Sequence, residues 1–260
     1  MGRRQSVVGL AVAIGALVVY LASQSLLVRA FNNSLVPAMA LAVVAVAPFV
    51  LYGRGWRSPS VTRPLPLALW TLAALVLVWF ASQAASVSLA EAFPPTRPSP
   101  DVAGTAAGFL VVVVAAPFAE ELLCRHLLHR RLQRLVGRPA SLLVSSSVFA
   151  VLHGQPARVV PMLLLGLLLG TAFDAWGGSL PVAWAVHSLF NLAAVLIPVA
   201  VVAPFARPAA AVVLAVAAVA LLASPPGGPA TTTVTDAGSG KERLRLARRV
   251  PPEPSGRPED

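Results

Sequence analysis

The sequence predicts an all-α fold, a polytopic bundle of about eight transmembrane helices. Hydrophobic residues make up 57% of the 260-residue chain. Charged residues make up only 12%, about half of the fraction that soluble domains carry. Apolar runs also recur along almost the whole chain, and several reach the roughly 20 residues needed to cross a bilayer.

Turn-forming residues divide these runs into helices. Asn32-Asn33 and Gly177-Gly178 are examples of such breaks. If the segment from Pro204 to Pro208 is a kink and not a loop, seven spans remain. The predicted spans are residues 6–28, 35–52, 66–89, 104–124, 139–153, 159–176, 180–200 and 208–223.

The basic residues indicate how the bundle is oriented. The net charge is +10, but the arginines lie in short loops and in the C-terminal tail, a distribution that argues against nucleic-acid binding. Basic residues near span ends favour the cytoplasmic side, so we predict a plasma-membrane protein with both termini in the cytoplasm. The inner loops then hold Arg3, Arg4, Arg54, Arg57, Arg63, Arg130, Arg131, Arg134 and Arg138, and the outer loops hold Arg29, Arg97, Arg158 and Arg207.

The chain divides into a transmembrane domain, residues 1–223, and a tail, residues 224–260. The tail is rich in Pro, Gly, Thr and charge, which predicts a disordered cytoplasmic segment. Its basic stretch from Lys241 to Arg249 is interpreted as solvated, with contact to anionic lipid as the alternative. The chemically informative residues lie within residues 104–200.

Ionisable side chains inside predicted spans are the strongest functional signal. Of ten acidic residues, only Glu120, Glu121 and Asp174 lie in or at the ends of spans, and all four histidines fall between Glu120 and Asn191. A charged side chain at a helix centre costs about 2.5–3.5 kcal/mol on insertion scales. Such residues face a protein interior or a water-filled cavity and mark functional sites.

The first candidate segment contains Glu120, Glu121 and Arg125. Glu121 and Arg125 are four residues apart on one helix face and are expected to pair. Glu120 is rotated by about 100°, so it is the candidate reactive carboxylate. The alternative is a charge cluster that ends a span at the membrane interface.

Two further segments carry the histidines. Phe149 lies one helical turn before His153 and is expected to pack on its ring, although a histidine at a helix end is often structural. His187 and Asn191 share a helix face, where they supply either catalytic hydrogen bonds or a polar pair that holds helices together.

Together these segments contain the groups needed for peptide hydrolysis. Glu120 with His153 can hold and deprotonate a water molecule. His187 and Asn191 can donate hydrogen bonds to the oxyanion that forms on the scissile carbonyl. We therefore expect these four residues to be catalytic.

At these residues the chain resembles the CAAX prenyl protease and bacteriocin-processing family of intramembrane proteases. The family motifs EExxxR, FxxxH and HxxxN correspond to Glu120-Glu121 with Arg125, Phe149 with His153, and His187 with Asn191. The resemblance covers about 70 residues. It implies an intramembrane endopeptidase in which Glu120 activates water with His153, His187 and Asn191 stabilise the oxyanion, and Glu121 with Arg125 is structural.

The resemblance leaves the cofactor open, because the family has been described both as metalloproteases and as glutamate proteases. Glu120, His153 and His187 are the candidate ligands if zinc is bound. The sequence has no H-E-x-x-H helix, and we expect no metal. The expected partners are membrane lipid and a peptide or membrane-associated protein substrate.

Three alternative functions remain. Cys124 lies beside Arg125 and is a candidate nucleophile, although a buried structural cysteine is also common. A proton-coupled transporter uses the same residue types, but the sequence shows no internal repeat of the kind many transporters have. A non-catalytic scaffold or regulator of the same family is the third.

Two expectations concern the edges of the site. Asp174 is predicted to cap the turn at Gly177-Gly178, with a substrate contact as the alternative. The segment with His126, His129, Arg130 and Arg131 is expected to extend the fourth helix as a basic inner surface. The spans place Glu120 and His187 near the inner face but His153 near the outer end of its helix.

Overall fold

The computed structural model describes residues 7–19, 61, 63–94 and 106–226. Within these ranges every regular element is helical, which confirms the predicted all-α class. The predicted span at residues 35–52 and most of the tail lie outside the described residues. The seven long helices of the described ranges are α1 (Val7–Val19), α2 (Pro64–Ala90), α3 (106–136), α4 (Arg138–Leu152), α5 (Pro156–Ala175), α6 (Leu180–Leu196) and α7 (Pro208–Leu222).

The helix starts follow from the sequence. Helices α2, α4, α5, α6 and α7 each have a proline at the first or second position, where its missing N–H costs no hydrogen bond. Most predicted bounds agree within about three residues, but α6 ends at Leu196, before the predicted residue 200. Ile197 is extended, as expected before Pro198.

The exteriors of the helices are apolar. Among the described helices, α2 and α5 are long and apolar enough to cross a membrane, and α1, α4, α6 and α7 are shorter apolar helices. On α7, Val212, Val213 and Val216 are each more than 60% exposed. Large apolar side chains on an outer surface indicate contact with lipid, as in a membrane protein.

Helix α3 is longer than predicted and irregular. It runs continuously from Ala106 to Val136 and contains two π-helical segments, Val111–Ala115 and Leu122–His129. Glu120 therefore lies near the middle of the helix, and the prediction that it lies near the inner end is wrong. The predicted span ended at residue 124 because charged residues follow, but two of these, Arg125 and His129, are fully buried inside the bundle.

Helix α5 lies at the centre of the bundle and packs closely on α4. A Cβ atom on Gly166 would lie 2.9 Å from Ser146 Cβ and 3.0 Å from Ser146 Cα. Only glycine permits this backbone approach. Small residues at membrane helix crossings commonly serve this purpose.

Helix α2 runs antiparallel to α5 and α7, which defines two ends of the bundle. The arginine end is the one where α3 ends and α4 begins, and it carries Arg130, Arg131, Arg134 and Arg138. At the arginine end, the start of α2 meets the ends of α7 and α5, since Trp70 donates to the Leu221 carbonyl at 3.1 Å and Trp176 donates to Thr71 at 3.0 Å. At the opposite end, Ser82 of α2 donates to the Pro161 carbonyl of α5 at 3.2 Å. The ends of α2, α4 and α6 and the starts of α3, α5 and α7 therefore share the opposite end.

The side chain of Asp174 does not cap the Gly177-Gly178 turn, so that prediction is wrong. It accepts hydrogen bonds from Gln133 at 2.6 Å and Arg138 at 2.8 Å, and lies 3.1 Å from His129 Nε2. His129 continues α3 as expected, but it is fully buried and does not belong to a basic surface. These contacts fasten α3, α4 and α5 together at the arginine end.

Candidate active site

Helix α3 is irregular where it approaches the candidate site because of Pro117. Proline has no N–H to donate to the preceding turn, and the π-helical segment Val111–Ala115 comes just before it. In a π-helix each N–H donates to the carbonyl five residues earlier. At Pro117 the absent N–H would have donated to the Val112 carbonyl. Asn191 Nδ2 of α6 donates to this carbonyl at 2.9 Å and so replaces the missing bond.

Glu121 is the centre of a buried ion-pair cluster. Its Oε2 lies 3.2 Å from Arg125 Nε, and its Oε1 lies 3.0 Å from His187 Nδ1. The side chains of Glu121 and Arg125 are 0% exposed and that of His187 is 2% exposed. The expected pairing of Glu121 with Arg125 is therefore present, and it also holds the ring of His187.

Arg125 makes further contacts that anchor the cluster. Its Nη2 donates to the Gly166 carbonyl at 3.2 Å, and its guanidinium carbon lies 4.9 Å from the centre of the Phe149 ring. A guanidinium over an aromatic face is stabilised by the ring quadrupole. The cluster thus joins α3 to α4, α5 and α6.

Phe149 holds both candidate histidines. Its ring centre lies 4.7 Å from that of His153 and 5.6 Å from that of His187. His153 follows the last residue of α4, and its Nδ1 lies 2.8 Å from the Phe149 carbonyl oxygen. Since a carbonyl only accepts, Nδ1 carries the proton and Nε2 is left as the basic nitrogen of the neutral ring.

Glu120 lies beside the ion-pair cluster, on the wall of a cavity. The cavity has a volume of about 210 Å³, and Glu120, Cys124, Phe149, Leu152 and His153 form part of its wall. The Glu120 side chain is 19% exposed, and its Oε2 lies 3.8 Å from His187 Nε2. The two nitrogens of His187 therefore lie next to two different glutamates.

A second, larger cavity of about 560 Å³ lies at the opposite end of the bundle. Its wall includes Gln83, His153, Arg158 and Asn191. This volume is within the usual range for ligand pockets. His153 belongs to the walls of both cavities, whereas Glu120 is on the smaller and Asn191 on the larger.

The structure thus brings together Glu120, His153 and His187, with Glu121, Arg125 and Phe149 behind them. Asn191 is on the wall of the larger cavity and not on that of the smaller one. One proton of its amide is donated to the Val112 carbonyl. Cys124 is 1% exposed on the smaller cavity.

Sequence reasoning missed two supporting positions. One is Gly166, whose carbonyl accepts from Arg125; the spacing of Gly166 and Gly170 was an available signal. The other is Pro117, which lies four residues before Glu121 and frees a carbonyl for Asn191.

The candidate zinc ligands do not form a metal-binding group. Among the described residues, no three His, Cys, Asp or Glu side chains are placed to hold a metal ion. His187 Nδ1 is bound to Glu121 and His153 Nδ1 to a carbonyl, so each ring has one nitrogen left.

Comparisons with known proteins point to one family. Residues 102–193 match the model of the family described as type II CAAX prenyl endopeptidase Rce1-like. This segment contains all three motifs, so the resemblance stated from them is confirmed. No solved structure matches the chain.

A curated relative also matches part of the chain. It is an uncharacterized protein of Mycoplasma capricolum, 31% identical over 94 residues, which are 35% of this chain. The matched part spans only 27% of that relative.

Proposed function

We propose that the protein is an intramembrane endopeptidase, similar to CAAX proteases, in which Glu120 and His153 activate a water molecule. The observation that carries this proposal is that both side chains line the same cavity of about 210 Å³. The family match supports a CAAX-protease-like activity in general.

The smaller cavity suits a nucleophilic water. One water occupies about 30 Å³ of liquid volume, so the cavity has room for several. Glu120 accepts one proton of the attacking water, while His153 Nε2 accepts a hydrogen bond from the other. The water oxygen then bonds to the scissile carbonyl carbon, and the carbonyl electron pair moves to its oxygen.

His187 and Asn191 are the proposed donors to this oxyanion. Asn191 Nδ2 carries two protons, one of which is bound to the Val112 carbonyl at 2.9 Å, so the other remains for substrate. His187 donates from Nε2, which lies 3.8 Å from Glu120 Oε2, when its ring carries both protons. Removing one oxyanion donor typically costs about 2.7–4 kcal/mol of barrier.

The proton taken by Glu120 completes the reaction. Glu120 gives it to the leaving amine nitrogen, the carbon–nitrogen bond breaks, and a carboxylic acid and an amine are released. Because His153 lies on both cavity walls, a peptide in the larger cavity would present its scissile bond beside His153.

The test is hydrolysis by the purified protein in proteoliposomes, with a mixture of fluorescence-quenched peptides of random sequence. We expect Glu120→Gln to lower kcat by about 10²–10⁴-fold, the usual contribution of a general base. The matched control is Glu91→Gln, since Glu91 is exposed outside the site and should retain activity. Equal cleavage by wild type and Glu120→Gln would contradict the proposal.

Parallel measurements separate the alternatives. Loss of wild-type cleavage with a chelator would favour a metalloprotease over the proposed glutamate type. A biological effect that Glu120→Gln retains in full would favour a scaffold. Solute flux driven by a pH gradient, without cleavage, would favour a transporter.

A further inference from the structure

The larger cavity carries a positive charge that no carboxylate on its wall balances. Among the described residues, His153 and Arg158 are the only ionisable side chains on this wall. In the form that the mechanism uses, the His153 ring is neutral, with its proton on Nδ1. The guanidinium of Arg158 stays protonated in proteins, so the wall has a net positive charge.

The described surroundings of Arg158 do not neutralise it. The ion pairs found within the described ranges involve Glu120, Glu121 and Asp174, and none of them includes Arg158. Glu91 follows the last residue of α2, but it is exposed and is not on the cavity wall. Salt screens exposed charges of this kind. The guanidinium can therefore bind a ligand without breaking an ion pair with a described residue.

The helix that carries Arg158 adds charge of the same sign. Helix α5 begins at Pro156 and runs for 20 residues, and its first three residues all lie on the cavity wall. The N-terminus of an α-helix carries a partial positive charge. The first turn of α5 contains no acidic residue, and the side chain of Gln155 does not cap it. The guanidinium and the helix terminus thus attract an anion to the same part of the wall.

Arg158 is close enough to His153 to contact the same peptide. It follows His153 by five residues in the chain, so their Cα atoms are at most about 18 Å apart. An extended peptide advances about 3.3 Å per residue. A peptide whose scissile bond lies beside His153 would therefore reach Arg158 within about five residues.

We infer that the larger cavity binds a carboxylate of the substrate, and that Arg158 selects peptides carrying one within about five residues of the scissile bond. The carboxylate belongs to an aspartate or glutamate side chain or to the C-terminus of the peptide. Both present the same two oxygens, which a guanidinium can bind bidentately. The selection of substrates rests on the proposed peptidase function, because it requires cleavage beside His153.

The test starts from one peptide of the random mixture that the purified protein cleaves. Glu, Gln or Lys replaces each position near the scissile bond in turn, and every peptide is made with a C-terminal carboxylate and with a C-terminal amide. Steady-state cleavage is measured in detergent for wild type, Arg158→Gln and Arg158→Glu. Arg207→Glu is the matched control, because Arg207 is an exposed arginine that precedes α7 at the same end and is not on the cavity wall.

For wild type we expect KM to be about fivefold lower for a carboxylate-bearing peptide than for its neutral counterpart, the upper range for an ion pair of an exposed arginine. Arg158→Gln should remove this preference, and Arg158→Glu should transfer it to the Lys peptides. Arg207→Glu should retain the wild-type order. A preference seen at an internal Glu assigns the carboxylate to a side chain, and one seen only between the two C-terminal forms assigns it to the C-terminus.

Two kinds of failure are distinguishable. If wild type cleaves its peptide with equal KM values for Glu, Gln and Lys and for both C-terminal forms, the carboxylate site is overturned and the peptidase function stands. If wild type cleaves no peptide of the mixture, the peptidase function is rejected and the selection of substrates with it. Fluorescence anisotropy then measures binding of labelled peptides that differ in one central Glu or Lys. Tighter binding of the Glu peptide, reversed in Arg158→Glu, would support a carboxylate site, and equal binding would overturn it.

Discussion

Two carboxylates in this bundle each contact one arginine and one histidine, yet only one of them lies beside a proposed catalytic residue. Glu121 lies 3.2 Å from Arg125 and 3.0 Å from His187. Asp174 lies 2.8 Å from Arg138 and 3.1 Å from His129. The first cluster lies in the middle of the bundle and the second at the arginine end.

The difference is in what surrounds each histidine. His187 has a second carboxylate, Glu120, 3.8 Å from its other nitrogen, and Glu120 opens onto a cavity. The other nitrogen of His129 meets the hydroxyl of Ser145 at 3.2 Å. Although Ser145, His129 and Asp174 follow one another as in a serine hydrolase, Ser145 is 0% exposed. Access to a cavity, and not residue type, separates a candidate site from a structural cluster.

Glu121→Gln should have the largest effect on stability. The substitution leaves the charge of Arg125 buried without its carboxylate, and breaking a buried ion pair in this way costs about 3–5 kcal/mol. It also replaces the carboxylate that contacts His187 Nδ1 with a neutral amide, so peptidase activity should fall with stability. Thermal unfolding in detergent and peptide cleavage measure the two losses. A variant as stable as wild type would contradict the central place of this ion pair.

Asp174→Asn should lower stability without removing activity. Hydrogen bonds to charged groups are worth about 1.5–3 kcal/mol, and Arg138 is 32% exposed, so the loss should be smaller than for Glu121→Gln. Activity per folded molecule should remain, because the Asp174 contacts lie at the arginine end. If activity disappears as completely as in Glu121→Gln, the two clusters are not functionally distinct.

The comparison also indicates what the sequence predicts well. Spacing alone paired Glu121 with Arg125 and stacked Phe149 on His153, because both pairs depend on local helix geometry. Contacts between helices were harder to predict from the sequence. The partners of Asp174 are 36 to 45 residues away in sequence, and a charged residue near a glycine turn reads as a cap when those partners are unknown.

The predicted length of α3 was wrong for a related reason. Hydropathy ends a span where charges begin, but in α3 Arg125 pairs with Glu121 of the same helix and His129 contacts Asp174 of α5, and the helix continues to Val136. This error explains why the predicted spans placed Glu120 near the inner face but His153 near the outer end of its helix. With α3 extended, Glu120 lies deep enough to share a cavity with His153.

Gly166→Ala tests the support of the Glu121 cluster by α5. The added methyl would lie within 3.0 Å of Ser146, so α4 and α5 must separate, and overpacking of this kind costs about 1–3 kcal/mol. The Gly166 carbonyl would then move relative to Arg125. Gly15→Ala is the matched control, since nothing lies within 4 Å of a Cβ there. Equal unfolding temperatures for the two variants would show that the α4–α5 crossing adapts at little cost.

The smallest expected change in the free energy of unfolding concerns Asn191, which has a structural role and a proposed catalytic role. In wild type, Asn191 supplies the hydrogen bond to the Val112 carbonyl that Pro117 cannot supply. Asn191→Ala should therefore cost less stability in a Pro117→Ala background, where the backbone N–H is restored. Hydrogen bonds between membrane helices average about 0.6 kcal/mol and reach about 1.7, which sets the expected coupling in the double-mutant cycle of unfolding free energies.

Catalysis should respond differently from stability in the same four proteins. If Asn191 also donates to the oxyanion, Asn191→Ala lowers kcat in both backgrounds, because a restored backbone N–H within α3 cannot reach the substrate carbonyl. Recovery of kcat in the Pro117→Ala, Asn191→Ala double variant would mean that Asn191 acts only on the shape of α3. Oxyanion stabilisation would then depend on His187 alone, and the Glu121 cluster that holds His187 would be more important for catalysis than the HxxxN motif indicates.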